Sequence, residues 1–115
     1  ATDADFVRRV VESHGPFDIV IDDGSHIGRE VIASFELLWD SVRPGGFYVI
    51  EDLSLAYHGD WEGGPPGTPG TAADLLKRLV DSTLLRAGDP FRPSVAAMHL
   101  YSEIVFLETS AHGLT

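Results

Sequence analysis

Asp18-Ile19-Val20-Ile21-Asp22-Asp23-Gly24-Ser25-His26 is a short apolar run that ends abruptly in acids, and Phe47-Tyr48-Val49-Ile50-Glu51-Asp52 repeats the pattern further along the chain. Continuous runs of Val, Ile, Phe and Tyr are the signature of buried parallel strands. In open α/β sheets, ligands bind just beyond the carboxyl ends of such strands. Two strands that each deliver acids at that end put several carboxylates over one crevice. The pattern predicts a ligand site there, and a metal site in particular.

Working outward, Asp3 is placed to cap a first helix carrying Phe6, Val7, Val10 and Val11, and Gly15-Pro16 ends it. Phe17 to Ile21 is the first strand. Gly24 permits a tight turn, and Ser25 is placed to cap a second helix. Ile27, Val31, Phe35, Leu38 and Val42 form that helix's apolar stripe. Arg43-Pro44-Gly45-Gly46 breaks it and turns the chain into the second strand, Phe47 to Ile50. Gly and Pro dominate a loop from Tyr57 to Gly70, with Tyr57, His58 and Trp61 interspersed as substrate-lid residues or loop anchors. Thr71 and Asp74 make a T-x-x-D capping box for a third helix bearing Leu75, Leu76, Leu79, Val80 and Leu84, and Gly88-Asp89-Pro90 stops it. Val95 to Tyr101 and Ile104 to Glu108 read as a terminal hairpin around Ser102-Glu103.

This order indicates one α/β domain with parallel strands, flanking helices and a terminal antiparallel hairpin. A first strand that is apolar on both faces needs a neighbour on each side. The chain supplies few candidates and opens on Ala1, so residues 1–115 are expected to be the C-terminal part of a larger domain. Its 115 residues suffice for one small domain, with 43% hydrophobic and 23% charged residues. The formal net charge of −10 argues against nucleic acid as a partner. With no cysteine, disulfides, thiolate zinc sites and cysteine nucleophiles are excluded. No apolar run approaches the ~20 residues of a membrane helix, so a cytoplasmic protein with no membrane partner is expected.

Asp23, Glu51 and Asp52 are the metal candidates. Carboxylates without thiolates or a His pair favour a hard cation such as Mg²⁺. Successive strand residues point to opposite faces, so Glu51 and Asp52 can share an ion only if the strand has ended and the backbone is turning. By the same argument Asp22 and Asp23 have different jobs. His26 follows Asp23 by three residues, at the start of the second helix. A neutral imidazole there is a candidate general base for a hydroxyl bound at the metal. Against this stand simpler roles: an Asx turn for the acids, a cap for Ser25, a structural His26. His14, Trp39, Met98 and His99 are read as helix-end or packing residues, and His112 as tail.

The run Asp18 to His26, then Arg43-Pro44-Gly45-Gly46, then Tyr48 to Leu53, together with the ending from His99 to Glu108, resembles the S-adenosylmethionine-dependent sugar O-methyltransferases of macrolide biosynthesis, the mycinamicin and macrocin type. The resemblance spans nearly the whole chain, and its most specific part is Asp-Asp-Gly-Ser-His with the later Glu-Asp pair. It implies a Rossmann-like sheet. It also implies Mg²⁺ held by Asp23, Glu51 and Asp52, a catalytic base at His26, and Asp22 turned toward the S-adenosylmethionine cofactor. The substrate implied is a hydroxylated, glycosylated small molecule, and a homo-oligomer is allowed. The Gly-rich turn that such enzymes carry after their first strand is missing, and Gly63-Gly64 and Gly67 follow no strand. The chain is therefore expected to be a partial methyltransferase domain holding the metal and base half of the site. A metal-dependent hydrolase using the same acids, and a fragment with no catalytic role, are the alternatives.

Overall fold

The computed structural model describes residues 3–85 and 95–110. Asp3 starts helix α1 (Ala4–His14), its carboxylate accepting from Phe6 N–H at 3.0 Å. The amide of Gly15 closes the helix on Val11 O. No residue of α1 is buried, and Phe6 is 48% exposed, so its apolar stripe lies largely uncovered. Strand β1 (Phe17–Asp22) follows, then helix α2 (Gly28–Leu38).

Two expectations about α2 need correction. Ser25 is not its N-cap: the cap position is Ile27, which makes no side-chain cap bond. Ser25 Oγ instead accepts from Ile27 N–H at 3.3 Å and donates to Glu30 Oε1 at 2.5 Å. That bond holds the Glu30 carboxyl below its ordinary range. The helix also stops earlier than its apolar stripe suggests. A 3₁₀ turn, Trp39–Ser41, intervenes, and Val42 already opens strand β2 (Val42–Glu51). The Arg-Pro-Gly-Gly segment therefore interrupts a strand and does not precede one. Phe17 pairs with Val42 but Ile19 pairs with Phe47, so the extra residues loop out between these pairs. Thr109 pins that excursion, donating to Arg43 O at 2.7 Å while its Oγ1 accepts from Gly46 N–H at 3.1 Å. Gly46 is required here because a Cβ would lie 2.4 Å from Asp18 O.

After β2 come two 3₁₀ turns, Leu53–Tyr57 and Gly59–Trp61. The glycine- and proline-rich loop is tied back to them, with Gly64 N–H donating to Ala56 O and Gly63 N–H to His58 O. Helix α3 (Ala72–Leu85) is capped as its sequence predicts: Asp74 N–H donates to Thr71 Oγ1, and Asp74 Oδ2 accepts from Gly70 N–H. Leu75, Leu76 and Leu79 are buried, whereas Val80 and Leu84 face outward. The expected stop at Gly88-Asp89-Pro90 and the tail residue His112 lie outside the described residues. Strands β3 (Val95–Leu100) and β4 (Ile104–Thr109) form the hairpin, closed by Tyr101 N–H to Ile104 O at 2.8 Å.

The sheet runs β1-β2-β4-β3, with β1 and β2 parallel and β4 antiparallel to both neighbours. Tyr48, Ile50, Val105 and Leu107 point from it into a core closed by Val31, Phe35 and Trp39 on one side and Leu75 and Leu79 on the other. Phe35 meets Tyr48 edge-on, with ring centroids 5.2 Å apart. The opposite sheet face is open: Ile19 is 57% and Ile21 59% exposed, and Tyr101, 62% exposed, edges it against Phe106. Among the described residues β1 has one strand neighbour, β2. No described helix is long and apolar enough to cross a membrane.

Replacing Thr109 with valine keeps shape but leaves the Gly46 amide without its acceptor. Thr109→Val is expected to cost about 1–3 kcal/mol, read as a lower urea midpoint with unchanged slope.

Candidate metal centre

The parallel pairing of β1 with β2 runs in register from Ile19↔Phe47 to Asp22↔Ile50. Both strands therefore end at the same edge of the sheet, and the residues just beyond each end become neighbours. β2 stops at Glu51, and Asp52 takes a left-handed conformation (φ 57°, ψ 46°). The backbone has begun to turn at the step where shared use of Glu51 and Asp52 requires it. Two bonds from the β3–β4 turn hold the segment that follows: Leu53 N–H donates to Glu103 O at 3.1 Å and Ser54 N–H to Glu103 Oε1 at 3.0 Å. The second bond keeps the Glu103 carboxyl below its ordinary range. The sequence marks Glu103 only as a turn residue. Nothing local marks this contact, because it joins residues far apart in sequence.

On the β1 side, Asp22 and Asp23 separate as strand alternation requires. Asp22 Oδ1 accepts from Gly24 N–H at 3.1 Å, an Asx turn. Its Oδ2 is buried without a hydrogen-bond partner. Asp23 is 59% exposed at its side chain and turns toward His26, whose Nε2 lies 3.6 Å from Asp23 Oδ1 and 3.1 Å from Asp52 Oδ2. His26 is not in the helix, as the sequence suggests, but two residues before its first turn, at φ 63°. This left-handed conformation is uncommon for a residue with a Cβ. The bend lets α2 begin against the loop before α3. Gly28 is needed there, since a Cβ would lie 2.8 Å from Gly70 O. An ion pair of Arg29 with Glu62 ties α2 to the same loop.

Asp23, His26 and Asp52 can each place one ligand atom within 4.8 Å of the others. The donor set fits a hard divalent cation: two carboxylates converge, no sulfur is near, and the anionic charge needs a counterion. Glu51, the third expected ligand, is not part of this group. It is half-buried and lines the open sheet face with Val49 and Ile104. Tyr57 and Tyr101 are 47% and 62% exposed and edge a second cavity, about 360 Å³, that starts at Leu53 and Ser54, directly after Asp52. His58 and Trp61 stack edge to face, with centroids 6.3 Å apart, and anchor the loop to itself. Trp39 is core, as read from the sequence, whereas His99 is half-exposed and bonded to Glu108 at 3.2 Å.

No family model matches the sequence. Among curated proteins, the chain is 42% identical to mycinamicin VI 2''-O-methyltransferase of Micromonospora griseorubida, over 92% of this chain and 29% of that protein. It is 44% identical to the tetracenomycin-C rhamnosyl 3'-O-methyltransferase of Streptomyces olivaceus, over 92% and 30%. To demethylmacrocin O-methyltransferase of Streptomyces fradiae it is 43% identical, over 87% and 28%. Among solved structures, it matches the MycE methyltransferase of the mycinamycin pathway, in complex with Mg, SAH and mycinamycin VI. That match has a TM-score of 0.86 and 40% identity, and covers 94% of this chain and 30% of that one. The chain thus spans about 30% of the length of these relatives. The hydrolase alternative finds no support, since each relative is named a methyltransferase. Over nearly its whole length, the chain is thus similar to a part of the S-adenosylmethionine-dependent sugar O-methyltransferases of macrolide and tetracenomycin pathways.

Proposed function

We propose that the protein of which this chain forms part transfers a methyl group from S-adenosylmethionine to a sugar hydroxyl on a glycosylated small molecule. The observation that carries the reading is the convergence of Asp23, His26 and Asp52 at the shared edge of β1 and β2. Asp23 and Asp52 would hold Mg²⁺, with Glu51 as a third carboxylate. Bound there, the ion would orient the acceptor hydroxyl and make it more acidic. His26 receives the hydroxyl proton at Nε2, the ring nitrogen that faces both carboxylates. The oxygen then attacks the sulfonium methyl in line, and the thioether leaves. Ser25 and Glu30 hold the turn that presents His26. Asp22 belongs to the cofactor side of this reading, at the β1 end.

The described strands are followed by no Gly-x-Gly turn, so this chain supplies the metal and base half of the site. Residues 1–115 are then a partial methyltransferase domain, and the isolated chain is expected to show no turnover. The acceptor's apolar body would lie in the cavity beyond Asp52, between Leu53, Tyr57, Leu76, Leu100 and Tyr101. The relatives' acceptors, sugars carried on macrolide or tetracenomycin rings, have such a body. A cytoplasmic setting, no nucleic-acid or membrane partner, and possible assembly into a homo-oligomer complete the reading.

Three outcomes test it in the full-length protein. Chelation with EDTA should abolish methyl transfer, with recovery on adding Mg²⁺. His26→Ala should lower kcat by about 10²–10⁴-fold with little change in Mg²⁺ affinity, and undiminished turnover would sink its role as base. Asp52→Asn and Asp23→Asn should each weaken Mg²⁺ binding by more than about tenfold in calorimetric titration. Separately, Leu100→Asp should raise KM about tenfold for a macrolide glycoside and leave KM for the simple methyl glycoside unchanged. That difference rests on the ~1.5–3 kcal/mol that burying one large apolar group contributes.

A further inference from the structure

Two buried polar atoms in the described structure lack a hydrogen-bond partner: Tyr48 Oη and Asp22 Oδ2. They belong together. Tyr48 pairs with Val20 and Asp22 with Ile50 across β1 and β2, so Tyr48 and Asp22 stand diagonally on one face, with the Ile21–Val49 pair between them. Diagonal neighbours on adjoining strands lie within reach of a long aromatic side chain. Tyr48 is fully buried, locked by Phe35 at 5.2 Å and Trp39 at 6.4 Å, which leaves its ring little choice of direction. Burial, reinforced by the Asp22 charge, pushes the Tyr48 hydroxyl well above its ordinary range, so it stays a donor. A carboxylate oxygen accepts. A buried donor beside a buried acceptor is complementary, whereas leaving both unpaired is costly.

We propose that Tyr48 is a positioning residue: its hydroxyl donates to one ordered water that in turn donates to Asp22 Oδ2, and this bridge fixes the Asp22–Gly24 turn that presents Asp23 and His26. Asp22 then has its two oxygens divided. Oδ1 accepts from the Gly24 amide, and Oδ2, which no protein group reaches, takes the water. The turn's orientation is thereby set from the aromatic cluster under the sheet, through one side chain, to the metal-ligating acid next to it. The link to the metal rests on the function proposed above, whereas the link to the turn does not.

The test uses the full-length protein with Tyr48→Phe, which keeps the ring and removes only the hydroxyl. Hydrogen–deuterium exchange over the peptide containing Asp22 to His26 should be about tenfold faster in Tyr48→Phe. Exchange in α3, at Leu75 to Leu79, should stay as in the wild type. Mg²⁺ affinity should fall about tenfold, in the range typical of residues that support a metal ligand. Asp22→Asn should cause a similar loss, and the double variant should lose little more than either single one. As a control, Leu79→Ala lowers the melting temperature without changing Mg²⁺ affinity of the folded protein. Unchanged exchange at the turn in Tyr48→Phe, or fully additive losses in the double variant, would overturn the proposal. Faster exchange in a protein that binds no Mg²⁺ would support the positioning role and overturn the metal reading instead.

Discussion

The register between β1 and β2 is the constraint on which the site depends. Ile19, Val20, Ile21 and Asp22 pair in turn with Phe47, Tyr48, Val49 and Ile50, and the strands run parallel. A slip of one residue would move Tyr48 and Ile50 from the core to the open face. It would also carry Asp52 away from His26 and Asp23. Burial of Tyr48 and Ile50 against Phe35, Trp39 and Leu75 sets the register, and the register sets the 3.1 Å approach of His26 to Asp52. The loop-out at Arg43 to Gly46 serves the same end. It absorbs the mismatch between the start of β2 and the start of β1, and Thr109 holds it closed from β4, on the other side of β2.

What was legible in the sequence follows from how local each cause is. The strand ends, the T-x-x-D cap of α3 and the hairpin around Ser102-Glu103 are set by residues within a few positions, and they stand where the pattern puts them. The separation of Asp22 from Asp23 was legible for the same reason, because strand alternation is local. The start of α2 was not. Ser25 has the chemistry of a cap, but the left-handed turn at His26 delays the helix until Gly28 can sit against Gly70. That contact joins segments far apart in the chain. The end of α2 was misplaced because Val42 continues a helical apolar period, yet a strand partner, Phe17, claims it. Glu103 escaped notice because its two bonds reach back across the fold to Leu53 and Ser54.

The sheet is dressed on one side only. Its helices cover Tyr48, Ile50, Val105 and Leu107, while Ile19, Ile21 and Tyr101 stay exposed on the other face. Apolar area of this kind is uncommon on a protein acting alone. The chain spans about 30% of the length of its relatives. Glu51 faces that same side. It lies outside the Asp23–His26–Asp52 group because its place on β2 turns it toward the open face.

The exposure of the two acids has an electrostatic consequence. Asp23 and Asp52 are each more than half exposed at the side chain, so water screens them from one another. Two like charges 4 Å apart repel by ~1 kcal/mol in bulk water but by ~4 kcal/mol at the effective dielectric of ~20 typical near a protein surface. Covering the site with further protein moves the pair from the first regime toward the second. The imidazole of His26 offsets part of that repulsion only while it carries a proton, and a general base must begin without one. A divalent cation removes the conflict, since it neutralises both carboxylates and leaves His26 free to accept. On the proposed function, shielding from water and occupancy by an ion would be coupled through the same two acids. The more completely Asp23 and Asp52 were shielded, the more a divalent cation between them would stabilise the pair.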